Sequence, residues 1–102
     1  MVDEPDEEGG DDTGPRPTEM LLTAVASCFT IAIAYVAKKH GKPLTDLEVE
    51  AFGDFDGPRF GRISVVASSG IPSADLQWLA DRASKVCFVS NSLGCEFEYS
   101  VA

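Results

Sequence analysis

The stretch Met20–Ala37, MLLTAVASCFTIAIAYVA, decides the fold, because eighteen consecutive residues carry no charge. Helix signals frame it on both sides. Pro17 suits a first helical turn, where its missing N–H costs nothing. Lys38, Lys39 and His40 complement the negative end of a helix dipole. Gly41 can take a left-handed cap, and Pro43 stops any continuation. The expected helix therefore runs from about Pro17 to His40. A run of this length lies at the short edge of what spans a bilayer. However, Ala, Ser, Thr and Cys dilute it, and the rest of the chain has amphipathic segments that can wrap it. A helix apolar on all sides is also what a central core helix looks like. The expectation is a buried helix of a soluble domain, with no membrane partner.

Downstream, the period of the pattern changes. Leu47, Val49 and Ala51 alternate with Glu48 and Glu50, which reads as a half-buried strand. The stretch from Phe52 to Pro58 reads as a turn. Phe60 to Ser68, with Ile63, Val65 and Val66, makes a second strand that closes a hairpin with the first. Ser73 reads as an N-cap with Asp75 in the first turn. Leu76, Leu79, Ala80, Ala83 and Val86 then recur at helical spacing to an end near Cys87. Phe88 to Gly94 reads as a turn. In the last strand Cys95, Phe97, Tyr99 and Val101 share one face, and Glu96, Glu98 and Ser100 the other. The predicted class is α+β, a long apolar helix against an antiparallel sheet with a second helix beside it. Three strands cannot cover a helix that is apolar all round, so either further strands lie upstream or a second copy of the chain supplies the cover, and the second copy is the simpler expectation.

Charge separates the first residues from the rest. Of the seventeen acids, seven fall within residues 1–12 with no base among them. The other ninety residues hold ten acids against eight bases. Residues 1–13 read as an acidic flexible tail and residues 14–102 as the domain. A tail of this sign repels phosphate, which argues against nucleic acid and anionic membranes as partners. No secretory signal precedes Met20, so the cytoplasm is the expected location.

The chemistry-bearing residues are few. Three cysteines at wide spacing do not make a disulfide framework. With one histidine they do not make a metal site either, and no cofactor motif is present. Cys28 lies mid-helix, between Ala24, Val25, Ile31 and Ala32 at spacings of three and four. On composition it reads as a small buried hydrophobe. No cation lies within a helical turn of it, so activation of its thiol would have to come from tertiary contacts or another subunit. Cys87 ends the second helix, 59 residues further on. Two helices packed side by side could bring the pair to disulfide distance, with Cα atoms about 4.4–6.8 Å apart. Cys95 reads as core. Glu19, in the first helical turn, complements the dipole, and Arg16 is the nearest base.

Two stretches resemble the OsmC/Ohr family. GPRPTEMLLTAVASC, Gly14 to Cys28, is similar to the family's Gly-Pro-x-Pro-x-Glu-Leu-Leu-x-x-Ala-Leu-Ala-x-Cys. VCFVSNSL, Val86 to Leu93, is similar to its Cys-Pro-Val-Ser-Asn-x-Leu. The resemblance covers about residues 9–102. It implies an intertwined homodimer with active sites at the subunit interface, and a peroxide as substrate. By that resemblance Cys28 is the peroxidatic thiol, which becomes a sulfenic acid. Cys87 then condenses with it to a disulfide, and a dithiol of lipoyl or thioredoxin type reduces the product. Glu19 is then the candidate carboxylate and Arg16 the candidate activating base, although neither stands at the family's own position.

The chain departs from the pattern in three places. It lacks the N-terminal β-region from which active members supply an arginine, for which Arg16, Arg59 or Arg62 are the substitutes on offer. Thr18 follows Pro17, so Glu19 stands one residue late, as in the OsmC-like branch. Phe88 replaces the proline after Cys87. The leading function is thus a thiol peroxidase in oxidative-stress defence, acting on organic hydroperoxides or hydrogen peroxide. The alternative is a catalytically weak or inactive dimer that responds to redox state or binds a small apolar ligand.

Overall fold

The computed structural model describes residues 16–102, and the acidic stretch assigned to residues 1–13 lies outside them. Helix α1 spans Pro17–Lys39, with Pro17 in its first turn as expected. Its end is built on Gly41, whose φ of 64° lies in the left-handed region that glycine adopts without strain. There the N–H of Gly41 donates to the Lys38 carbonyl and that of Lys42 to Ala37, at 3.3 and 2.9 Å. These bonds satisfy two carbonyls that the helix itself leaves unpaired.

Strands β1 (Glu48–Phe55) and β2 (Phe60–Ser68) pair antiparallel, as the alternation predicts. The hairpin turn is shorter than expected, because β1 runs on through Phe52 to Phe55. Gly53 explains why. It faces Ile63 across the ladder, and its missing side chain leaves space that the Phe60 ring fills. Phe60 also stacks on Phe55, with ring centroids 5.0 Å apart.

Helix α2 (Ser73–Val86) follows, then a short helix α3 (Phe88–Ser92), then β3 (Glu96–Val101). Four expectations need correction here. Pro72, not Ser73, is the N-cap of α2, and Ser73 opens the helix with no side-chain capping bond. Val86 is exposed, because α2 ends there and its inward row stops at Ala83. The stretch after Cys87 is one turn of helix before it becomes a loop. Finally, the sheet is mixed, in the order β1-β2-β3, because β3 lies parallel to β2. A parallel neighbour needs a crossover of a dozen residues or more, and α2 with α3 provides it.

Side-chain alternation divides the sheet into two faces. Gly53, Ile63 and Phe97 lie in one inward row, Ala51, Val65 and Tyr99 in the next, and Val49, Ala67 and Val101 in a third. The outward rows carry Asp54, Arg62 and Glu96, then Phe52, Ser64 and Glu98. Arg62 bridges Glu96 and Glu98 there at 3.7 and 3.5 Å, in solvent, where such pairs add little stability. The core forms between the inward face and the two long helices. It contains Val25, Phe29, Ile33 and Val36 of α1, Ile63 and Val65 of β2, and Leu76 and Leu79 of α2.

Helix α1 is long and apolar enough to cross a membrane by length and composition, yet six of its residues face this core. Its other side leaves Met20, Ile31 and Tyr35 exposed.

The Gly53–Phe60 contact gives a direct check of the hairpin. Gly53→Ala places a methyl group against the Phe60 ring, and overpacking of this kind costs about 1–3 kcal/mol. Gly94→Ala meets nothing within 4 Å and should change stability by no more than about 0.5 kcal/mol. Urea unfolding of the two variants beside the parent measures the difference.

Candidate active site

Cys28 projects from the middle of α1, half-buried and packed against the core. Cys87 occupies the junction between α2 and α3, as the C-cap of one and the N-cap of the other. Its backbone is extended there, with φ −74° and ψ 104°, so the chain turns sharply. Asn91 holds the turn closed. Its side-chain amide donates to the Cys87 carbonyl at 2.8 Å and to the Ser84 carbonyl at 3.2 Å. The Ser84 carbonyl lies in the last turn of α2, where the helix leaves carbonyls unpaired, and the Cys87 carbonyl also accepts the Asn91 N–H at 3.1 Å. The result is a Cys87 side chain with no exposure to solvent.

The two sequence-predicted cysteines are neighbours. Packing of α3 against α1 sets the Cys28 thiol close enough to Cys87 to raise its pKa. Both are free thiols, as is Cys95. Burial pushes the Cys87 thiol above its ordinary pKa, since a thiolate is costly away from water. Hydrogen bonds from the Ser90 side chain and backbone pull it back, and the neighbouring Cys28 raises it again. The net direction is upward, so Cys87 is a protonated thiol at neutral pH.

Ser90 and Tyr99 also belong to this cluster, and the sequence reading passed over both. Ser90 Oγ lies 3.1 Å from Cys87 Sγ. Tyr99 enters from β3 with its ring stacked on Phe29 at 4.9 Å. Burial raises its phenol pKa, and a hydrogen bond with Ser90 opposes the rise. A hydroxyl three residues after Cys87 was the available sign for Ser90. For Tyr99 it was the inward face of the last strand.

Arg16 and Glu19 stand elsewhere. They pair with each other, Nε to Oε1 at 3.7 Å, and both are about half exposed. A rise of about 1.5 Å per residue sets Glu19 roughly 13 Å from Cys28 along α1, and a turn of about 100° per residue puts it on the opposite side. Arg16 is roughly 18 Å away by the same measure. Within one chain neither reaches the cysteine pair. Arg59 pairs with Asp56, and Arg62 with Glu96 and Glu98. Among the described residues no cation contributes to the shift of the Cys87 thiol. No group of three or more potential metal ligands occurs among them either.

A separate cavity of about 550 Å³ opens between the start of α1, the β1–β2 turn and the approach to β3. Leu21, Phe55, Phe60, Ile63 and Leu93 make its wall mainly apolar, with Arg59 and Cys95 at its lining. Neither Cys28 nor Cys87 lines it.

This fold is similar to that of several solved proteins. One is an organic hydroperoxide resistance protein from Vibrio cholerae, crystallised with captopril in one of its active sites. The TM-score is 0.80 and the identity 26%, over 97% of this chain and 73% of that one. A second is an organic hydroperoxide resistance protein from Elizabethkingia anophelis, with a TM-score of 0.79 and 25% identity over 99% of this chain and 78% of that one. A third, from Legionella pneumophila, has a TM-score of 0.81 at 23% identity over 98% of this chain and 78% of that one, which is a likeness of fold. No curated protein matches the chain. The family model described as OsmC-like protein matches residues 9–100, and the chain therefore belongs to the OsmC-like family.

Proposed function

We propose that this chain is a two-cysteine thiol peroxidase that reduces organic hydroperoxides or hydrogen peroxide. What supports the reading is the proximity of Cys28 on α1 to the Cys87 that joins α2 and α3, far apart in sequence, together with the family to which the chain belongs. The half-buried Cys28 is the thiol a peroxide can reach. Its thiolate attacks the O–O bond, takes one oxygen as a sulfenic acid, and releases an alcohol or water. Cys87 then attacks the Cys28 sulfur, forming the S–S bond and expelling the hydroxyl as water. A dithiol of lipoyl or thioredoxin type returns both to thiols by exchange. Proteins named for organic hydroperoxide resistance, similar in fold and at 25–26% identity, support the substrate class.

The same proposal places the working unit as a homodimer in the cytoplasm, where thiols stay reduced. Ile31 is 69% exposed and Tyr35 56%, on a helix face that a second copy would cover. A cation for Cys28 would also have to cross that interface, since Arg16 cannot reach it within one chain.

The apolar cavity favours a second reading, in which the chain binds a small apolar ligand without turnover. A thermal shift with a fatty acid, unchanged by Cys28→Ser, would support that reading.

Peroxide consumption with a dithiol present separates the two readings. Cys28→Ser should abolish consumption of both cumene hydroperoxide and hydrogen peroxide. Cys87→Ser should leave a sulfenic acid on Cys28 that dimedone traps. A parent protein that consumes neither peroxide rejects the enzyme.

Burial also sets an order of labelling. A brief pulse of iodoacetamide at neutral pH should modify Cys28 and Cys95 before Cys87, as peptide mass spectrometry would show. Cys87 is enclosed and its raised pKa keeps it a thiol, so its labelling should rise as the solution turns alkaline.

A further inference from the structure

We propose that Ser90 is the positioning residue of the disulfide-forming step, holding the Cys87 sulfur and passing its proton on to the phenol of Tyr99. The inference rests on the two-cysteine reading above and adds the group that controls its second half.

Ser90 is 5% exposed and is the only buried polar side chain among the described residues. A buried hydroxyl needs a hydrogen-bonding partner. Here that partner is a thiol that is itself fully enclosed, 3.1 Å away. The contact follows from local geometry. Residues three apart on a helix are neighbours, so the single turn of α3 carries Ser90 back over the cysteine that caps it. The backbone of Ser90 also lowers the pKa of that thiol, and the Asn91 amide bonds lock that turn. Tyr99 arrives from another element. Its ring lies on Phe29, and its phenol is near enough to Ser90 for that hydroxyl to oppose the rise in its pKa. Three elements thus line up a thiol, a hydroxyl and a phenol.

This line solves a specific problem. Cys87 must lose a proton before it can attack, yet it is sealed from water and burial opposes its ionisation. The titratable groups that face it are Cys28 from α1 and Tyr99 from β3. Lys85, two residues earlier on α2, is exposed and takes no part in its shift. The proton moves from Cys87 to the Ser90 oxygen as the Ser90 proton moves to Tyr99, whose own proton leaves to solvent. The Cys87 thiolate attacks the Cys28 sulfenic sulfur, so an S–S bond forms and the S–O bond breaks. Hydroxide departs and takes a proton from solvent to become water. The peroxide consumed beforehand is the oxidant, and the protons balance.

The test follows decay of preformed Cys28 sulfenic acid in the Cys95→Ser protein from neutral to alkaline pH. Ser90→Ala should slow disulfide formation about tenfold at neutral pH and move its pH profile up by about one unit. Ser90→Thr, which keeps the hydroxyl, should restore both. Tyr99→Phe keeps the ring on Phe29 and should slow the same step, which provides a second variant should Ser90→Ala not fold. Parent-like rates and profiles in both Ser90→Ala and Tyr99→Phe overturn the proposal.

A measurement free of peroxide covers the case in which no sulfenic acid forms and the peroxidase reading itself fails. In the Cys28→Ser, Cys95→Ser protein, thiolate absorbance reports the titration of Cys87. Ser90→Ala should raise that midpoint by about one unit, and an unmoved midpoint rejects the role of Ser90.

Discussion

The structure depends on which side of α1 is buried. Val25, Phe29, Ala32, Ile33, Val36 and Ala37 form a stripe that packs on the sheet and α2. Fully burying one large apolar side chain is worth about 1.5–3 kcal/mol, so turning this stripe outward would remove much of what a domain of this size has. The rotation so fixed determines everything else on the helix. Phe29 lands under Tyr99, and Cys28 lands beside the junction of α2 and α3. Ile31 and Tyr35 are left facing outward. The cysteine pair is therefore a consequence of core packing and needs no attraction of its own.

Most of the element order was legible because period survives burial. Glu48, Glu50, Glu96 and Glu98 each mark an outward position on a strand, and Leu76, Leu79, Ala80 and Ala83 mark one helix face. The direction of β3 was not legible in the same way. Alternation in Cys95, Phe97, Tyr99 and Val101 gives the face a strand buries, but says nothing about which neighbour it pairs with. The stretch from Ser69 to Cys95 was the overlooked sign, since it is long enough for a crossover and contains a helix. Helix α3 escaped notice because Ser and Asn favour turns in isolation. Here Asn91 bonds backward to Ser84 and Cys87, and that tertiary staple outweighs local preference.

The candidate site divides the same way. Motif resemblance singled out Cys28 and Cys87, and packing brings them together. Residue spacing along α1 also sets Glu19 and Arg16 apart from Cys28 within one chain, which a helical wheel alone would have shown. Ser90 needed one further inference, that Cys87 begins a turn of helix and so faces the residue three later. Tyr99 could not be read locally at all. Its place beside Ser90 depends on β3 lying next to β2 with Val65 opposite it. A different sheet order would have put another residue there.

Unequal burial of the two thiols carries a chemical consequence. In the proposed cycle a peroxide must find one sulfur and miss the other. If both were exposed thiolates, each could climb the oxidation ladder to acids that thiols cannot reverse. Enclosing Cys87 removes it from that competition, and the same desolvation holds its proton on. Protection alone would leave it inert. What rescues reactivity in that cycle is the Ser90 hydroxyl 3.1 Å from its sulfur, with Cys28 as the neighbouring thiol, so release of the proton and the direction of attack are governed at the same point. Enclosure thus suppresses reaction with small oxidants while leaving open the one reaction that geometry favours, an attack on the neighbouring Cys28 sulfur.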